Sequence, residues 1–226
     1  MTNRPKQARP ASEPIRSPSA ARLRGYAHEI NNYLTAILTN VGVARLDSAE
    51  GSPLHTTLQE IEDAALQACK ITQRLLAGVT AGEENPVPAA TAPAKGATAR
   101  QRGKVLIMDD ETRVRTGTGK MLQHLGYEVA YAADGEEALA LYEQAAAVGQ
   151  PFDVVLMDLT IANGRSGEET IQALIAIDPE VRAIASSGYF SNPDDFDYAS
   201  LGFKGMIAKP YRMDELRRVL QEVLSA

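Results

Sequence analysis

A single cysteine, Cys69, stands in 226 residues, which excludes an internal disulfide framework and fits a reducing compartment. With no second cysteine at metal-ligand spacing, it reads as a small hydrophobe on a helix. No apolar run approaches the roughly 18–20 residues a membrane helix requires. The first residues hold no apolar segment of the kind a signal peptide needs, so a cytoplasmic protein is expected. No G-x-x-x-x-G-K-[ST] phosphate loop occurs. ATP-dependent self-phosphorylation is therefore not expected of this chain. The sequence ends at Ala226, directly after its last helical pattern, and no DNA-binding output domain is expected.

What is present is ordinary for a soluble globular chain: 44% hydrophobic and 23% charged residues, with room for one or two domains. The net charge of −6 is uneven, −9 over residues 103–226 and +3 over residues 1–102. Part of the basic excess lies in a Pro-rich tail that reads as solvated and disordered rather than as a nucleic-acid or membrane contact. Residues 1–17 are rich in Pro, Ser and Arg, and residues 81–102 hold Pro and Ala with little to bury. The first stretch reads as a tail and the second as a flexible linker.

Between tail and linker, residues 18–80 carry a heptad. Apolar positions fall at Leu23, Ala27, Ile30, Leu34, Ile37, Val41 and Ala44, and again at Leu54, Leu58, Ile61, Ala65, Ala68, Thr72, Leu75 and Val79. Alternating steps of four and three make a narrow seam suited to coiled-coil packing. The Asp, Gly and Pro between the two runs end one helix and start the next. A hairpin of two helices encloses little core, so a homodimer forming a four-helix bundle is expected.

Residues 103–226 alternate short apolar runs (105–108, 127–131, 154–157, 181–185, 206–208) with helical patterns (113–124, 136–147, 167–177, 193–200, 213–224). That rhythm predicts an α/β domain with a parallel sheet covered on both faces. Ligands in such folds sit beyond the carboxyl ends of the strands. There the sequence places Asp109 and Asp110, then Asp158, then Ser186 and Ser187, then Lys209 and Pro210. Carboxylates converging at one edge repel unless a cation joins them, and hard oxygen donors suit Mg²⁺. With a lysine and a hydroxyl beside them, one carboxylate can attack phosphorus while positive charge offsets the equatorial oxygens.

This conjunction resembles the receiver domain of bacterial response regulators, the CheY family. The resemblance implies a flavodoxin-like (βα)5 fold with strand order 2-1-3-4-5. It implies Asp158 as phosphoacceptor, Asp110 as a direct Mg²⁺ ligand, Asp109 as a ligand through water and the Thr160 carbonyl as a further ligand. Ser187 matches the switch Ser/Thr, and Lys209 the lysine before a proline that is often cis. Three departures stand out: Ala162 replaces the usual proline four residues past the phosphoacceptor, the loop there is one residue longer, and Met206 occupies the aromatic switch position. Phosphohydrolases of the haloacid dehalogenase type also use an aspartyl nucleophile, but they need a second Asp where Thr160 stands, which excludes them.

The first helix carries His28, Glu29, Asn31, Asn32, Leu34 and Thr35 in the pattern H-[DE]-x-N-N-x-L-T. With Ala27 and Ile30 on the seam, His28 and Asn32 are expected to project outward, four residues apart. An imidazole beside a carboxylate can act as nucleophile or proton acceptor. The segment resembles the dimerisation and histidine-phosphotransfer hairpin of sensor histidine kinases. The resemblance implies that His28 carries a phosphoryl group, that Glu29 polarises it, and that Asn32 positions water for phospho-aspartate hydrolysis. The expected function is a two-component phosphorelay in which His28 and Asp158 exchange or discharge a phosphoryl group. The expected partners are a sensor histidine kinase or other receiver and phosphotransfer proteins. Two other readings stay open: a binding module whose hairpin only dimerises or docks a partner, and a phosphatase for another receiver.

Overall fold

The computed structural model describes residues 20–80, 102–162, 164–188 and 197–225. The expected tail at 1–17, and the linker except its last residue, lie outside them. Two long helices come first, α1 (Ala20–Leu46) and α2 (Pro53–Thr80). Gly51 turns the chain between them at a φ of 77°, a backbone conformation that a side chain disfavours. Pro53 opens α2 where a missing N–H costs nothing, and Ser52 accepts the His55 N–H at its start.

Then follow β1 (Lys104–Met108), α3 (Thr112–His124), β2 (Glu128–Ala132), α4 (Gly135–Ala147), β3 (Val154–Asp158), α5 (Gly167–Ile177), β4 (Ala183–Ser187), β5 (Gly205–Ala208) and α6 (Met213–Ser225). The five strands form one parallel sheet in the order β2-β1-β3-β4-β5, as expected. Every residue of β3 and β4 is buried, because helices cover both faces. Leu106, Met108, Val155 and Met157 pack on one side with Ile171 and Leu174. Val105, Ile107, Leu156 and Ile184 pack on the other with Leu122, Leu216 and Leu220. Each fully buried side chain of this size contributes roughly 1.5–3 kcal/mol.

Local chemistry fixes the helix starts. Asp134 caps α4 by accepting the N–H groups of Glu136 and Glu137, and Ser166 with Glu169 forms a reciprocal capping box at α5. Half of the helix expected at 193–200 falls on residues outside those described; the other half is not helical, and residues 198–202 form turns.

The hairpin departs from its expected seam. Leu34, Leu38, Ala65 and Cys69 form its small core. Ile30, Ile37, Leu54 and Ile61, all assigned to the seam, are exposed. A single hairpin closes one side of a heptad stripe and leaves the other open. The side carrying His28 and Asn32, expected to face water, is instead covered: α1 packs against α3, and Asn31 and Asn32 are buried.

Candidate functional site

Asp109 and Asp110 follow β1, Asp158 ends β3, Ser187 ends β4, and Lys209 follows β5. Parallel register brings them to one edge: Asp158 lies opposite Ser186, and Ser187 opposite Ala208. Carboxylate oxygens of Asp109, Asp110 and Asp158 lie within 4.8 Å of one another. Lys209 Nζ donates to Asp109 Oδ2 and to Asp158 Oδ2, at 2.6 Å each. The lysine is only 2% exposed, so this contact is neither hydrated nor screened as a surface pair would be.

Backbone donors occupy other carboxylate oxygens. Glu111 N–H bonds Asp109 Oδ1, Thr160 N–H bonds Asp158 Oδ1 and Ala162 N–H bonds Asp110 Oδ2. The last bond gives the Ala162 departure a physical role, because a proline there would have no N–H to donate. Lys209 N–H donates to the Ser187 carbonyl at 2.7 Å, and the Lys209–Pro210 peptide is cis. Met206 is buried within the core.

Burial pushes the Asp109 carboxyl up to about 6; Lys209 pulls it down and Asp158 pushes it up again. Burial alone drives Lys209 toward neutrality, but Asp158 and Asp109 outweigh it and hold the ammonium above its ordinary range. A cluster of three acids with one cation is short of positive charge. Its donors are all hard oxygens, and a small divalent cation fits that set.

The hairpin reaches this edge. Asn31 Nδ2 donates to the Gly188 carbonyl at 2.9 Å, one residue past Ser187. The His28 ring nitrogen Nδ1 stands 3.8 Å from the place a Gly188 Cβ would take. Asn32 Nδ2 lies 3.3 Å from His28 Nε2. With the amide as donor, Nε2 keeps its lone pair and the ring proton sits on Nδ1. The Oδ1 atoms of Asn31 and Asn32 are buried without a hydrogen-bond partner. Glu29 is exposed and lies 3.5 Å from the Tyr33 hydroxyl.

Two glycines of this site went unread in the sequence. Gly167 opens α5 against the Asp158 carbonyl, and Gly117 lets α1 approach α3. The signal for the second was present, since two glycines at 117 and 119 inside one helical pattern are unfavourable without a packing reason.

Residues 105–221 match the family described as the response regulator receiver domain. Sporulation initiation phosphotransferase F of Bacillus subtilis is 29% identical over 121 residues, 54% of this chain and 93% of that protein. Chemotaxis protein CheY of Thermotoga maritima is 30% identical over 53% of this chain and 96% of that one. Sensor kinase CckA of Brucella abortus is 30% identical over 53% of this chain but 12% of its own length. Among solved structures, the receiver domain of NtrX from Brucella abortus aligns over 54% of this chain and 98% of that chain, with 26% identity and a TM-score of 0.49. The family match begins at residue 105, and the hairpin lies outside it.

Proposed function

The chain belongs to the response regulator receiver domain family, and we propose that it acts in two-component signalling by taking a phosphoryl group on Asp158 and exchanging or discharging it through His28. The observation that carries this reading is Lys209 held between Asp109 and Asp158, with Asp110 beside them. An Asp158 oxygen attacks phosphorus, the bond from phosphorus to the donor nitrogen or oxygen breaks, and the leaving group takes the electron pair. Lys209 offsets charge on a transferring oxygen, and the Ser187 hydroxyl donates to another. Asp109, Asp110, Asp158 and the Thr160 carbonyl would hold Mg²⁺, which when bound supplies the positive charge that lets a carboxylate approach an anionic phosphoryl group.

The hairpin is the second half of this reading. A neutral His28 with its lone pair on Nε2 is a nucleophile, and the Asn32 amide favours that tautomer. The unpaired amide oxygens of Asn31 and Asn32 support a second reading, in which the hairpin orients water for hydrolysis of the acyl phosphate. A sensor histidine kinase or another phosphotransfer protein would be the donor; no described helix of this chain is long and apolar enough to cross a membrane.

The test is to incubate the full chain with radiolabelled acetyl phosphate and Mg²⁺ and to separate base-labile label from label that is acid-labile and base-stable. Asp158→Asn should lose all label. The unaltered chain should show acid-labile phosphate on His28, or a shorter-lived acyl phosphate than Asn32→Ala shows. Label confined to Asp158 and decaying equally in His28→Ala and Asn32→Ala would reduce the hairpin to a scaffold.

An exposed stripe on α1 that includes Ile30 and Ile37 of the expected seam supports a second copy as its cover. Tyr26, Ile30, Tyr33 and Ile37 follow heptad steps along α1, and all are exposed. Ile30→Glu with Ile37→Glu should weaken the homodimer on the order of a hundredfold, measured by sedimentation equilibrium. An unaltered chain that sediments as a monomer at high micromolar concentration would refute the dimer.

A further inference from the structure

The contact between hairpin and receiver is built from both sides. A Cβ on Gly117 of α3 would lie 2.2 Å from Thr39 Oγ1 and 2.9 Å from Thr39 Cβ of α1. The third-nearest atom, also Thr39's, is already 3.7 Å away, so nothing inside the receiver requires glycine there. Glycine in a helix interior is unfavourable against alanine, and its presence answers to the hairpin alone. On α1, a Cβ on Gly42 would stand 3.4 Å from Met121 Cε, and Val43 packs against the receiver core.

Charge repeats the pattern. Glu62 of α2 is buried, and its carboxylate is shared between Arg45 of the hairpin and Arg212 of the receiver, the latter at 2.6 Å. A buried carboxylate needs its partners close, so separating the two parts strips Glu62 of one of them. Arg212 lies three residues past Lys209, which ties this ion pair to the loop that carries the phosphoryl-binding lysine. Arg113 stacks over the Tyr33 ring at 5.7 Å, and Lys120 donates to Asn40 at 3.4 Å.

We propose that the receiver docks on the hairpin of its own chain, α3 against α1, and that Gly117 and Arg212 decide which receiver fits. A receiver carrying any side chain at the Gly117 position meets Thr39, and one lacking the Arg212 charge leaves Glu62 short of a partner. Both defects act against foreign receivers while the covalent tether raises the local concentration of the proper one. The inference rests on the hairpin as exchange partner of Asp158, and it names the residues that set specificity for that exchange.

Docking can be measured without phosphoryl chemistry. Asn40→Cys with Lys120→Cys in the full chain is oxidised and run on a non-reducing gel, with each single variant as control for buried Cys69. The expected product is an intrachain disulfide of monomer mass, formed at a rate independent of protein concentration. Gly117→Ala and, separately, Arg212→Glu should each slow its formation on the order of tenfold. Thr39→Gly added to Gly117→Ala should restore the rate, which general damage to the fold would not allow. A cross-link mainly at dimer mass overturns the proposal, and so do rates indifferent to both variants. An intact intrachain cross-link with no phosphate on His28 would leave docking standing and refute the exchange reading alone.

Discussion

Lys209→Met is expected to lower the stability of the chain at pH 7 in EDTA by roughly 3–5 kcal/mol, and to regain much of it in Mg²⁺. Two buried carboxylates share this one ammonium at 2.6 Å, and methionine fills the volume without the charge. The pH dependence follows from Asp109, whose carboxyl sits at about 6 in the fold against an ordinary 3.8. A group raised by folding contributes most below its unfolded value, and that contribution is lost as pH rises through about 6. At pH 7 the fold therefore holds an anion it disfavours, and Lys209 limits the cost. Without the lysine the loss deepens, so the variant should recover stability from pH 7 to pH 5. In the unaltered chain a bound cation would compete with a proton at Asp109, and any rise in Tm caused by Mg²⁺ should shrink over the same interval. Urea and thermal unfolding in EDTA and in Mg²⁺ at both pH values read all of this. A variant as stable as the parent at pH 7 in EDTA would show that the ammonium does not hold the pair. Phosphoryl uptake should fall by roughly 100–1,000-fold even where stability is regained, because a fixed charge at the transferring oxygen is gone.

The receiver half was legible because two independent signals coincide there. Short apolar runs at regular spacing give the strands, and polar residues at the run ends give the site; Asp109, Asp158, Ser187 and Lys209 meet as their positions at strand ends require. The hairpin was legible as helices but not as a surface. A heptad says which residues seek apolar cover, and it does not say whether the cover is α2, a second copy or another domain. Leu34 and Leu38 found α2, while Ile30 and Ile37 stayed exposed. The helix face carrying Asn32 reads as solvent-exposed by polarity, yet the receiver lies over it and Asn31 bonds Gly188. Polar residues that pair across domains look in sequence like polar residues that pair with water. Close approaches were the other blind spot, since Gly119 and Gly167 look like helix defects until their neighbours are known.

Gly167→Ala is expected to damage the site more than any change of similar size elsewhere in the receiver. Its added Cβ would stand 2.5 Å from the Asp158 carbonyl oxygen, 3.0 Å from Leu159 Cα and 3.2 Å from the Asp158 carbonyl carbon. All three are backbone atoms, so no side chain can swing aside. At Gly119 the crowded atoms belong to the Tyr131 ring and hydroxyl, the far end of a side chain that is 37% exposed, and Gly119→Ala should be tolerated. In Gly167→Ala either the end of β3 or the start of α5 must move. The capping box of Ser166 and Glu169 resists the second, which leaves the backbone of Asp158, the proposed phosphoacceptor, to shift. Overpacking of this kind costs roughly 1–3 kcal/mol. A displacement near 1 Å at an attacking group lowers rate by about a hundredfold. The variant should therefore fold, lose modest stability in urea, and take label from acetyl phosphate about a hundredfold more slowly. Equal labelling rates in the two proteins would mean that the turn into α5 yields instead, and that the position of Asp158 does not depend on the missing side chain of Gly167.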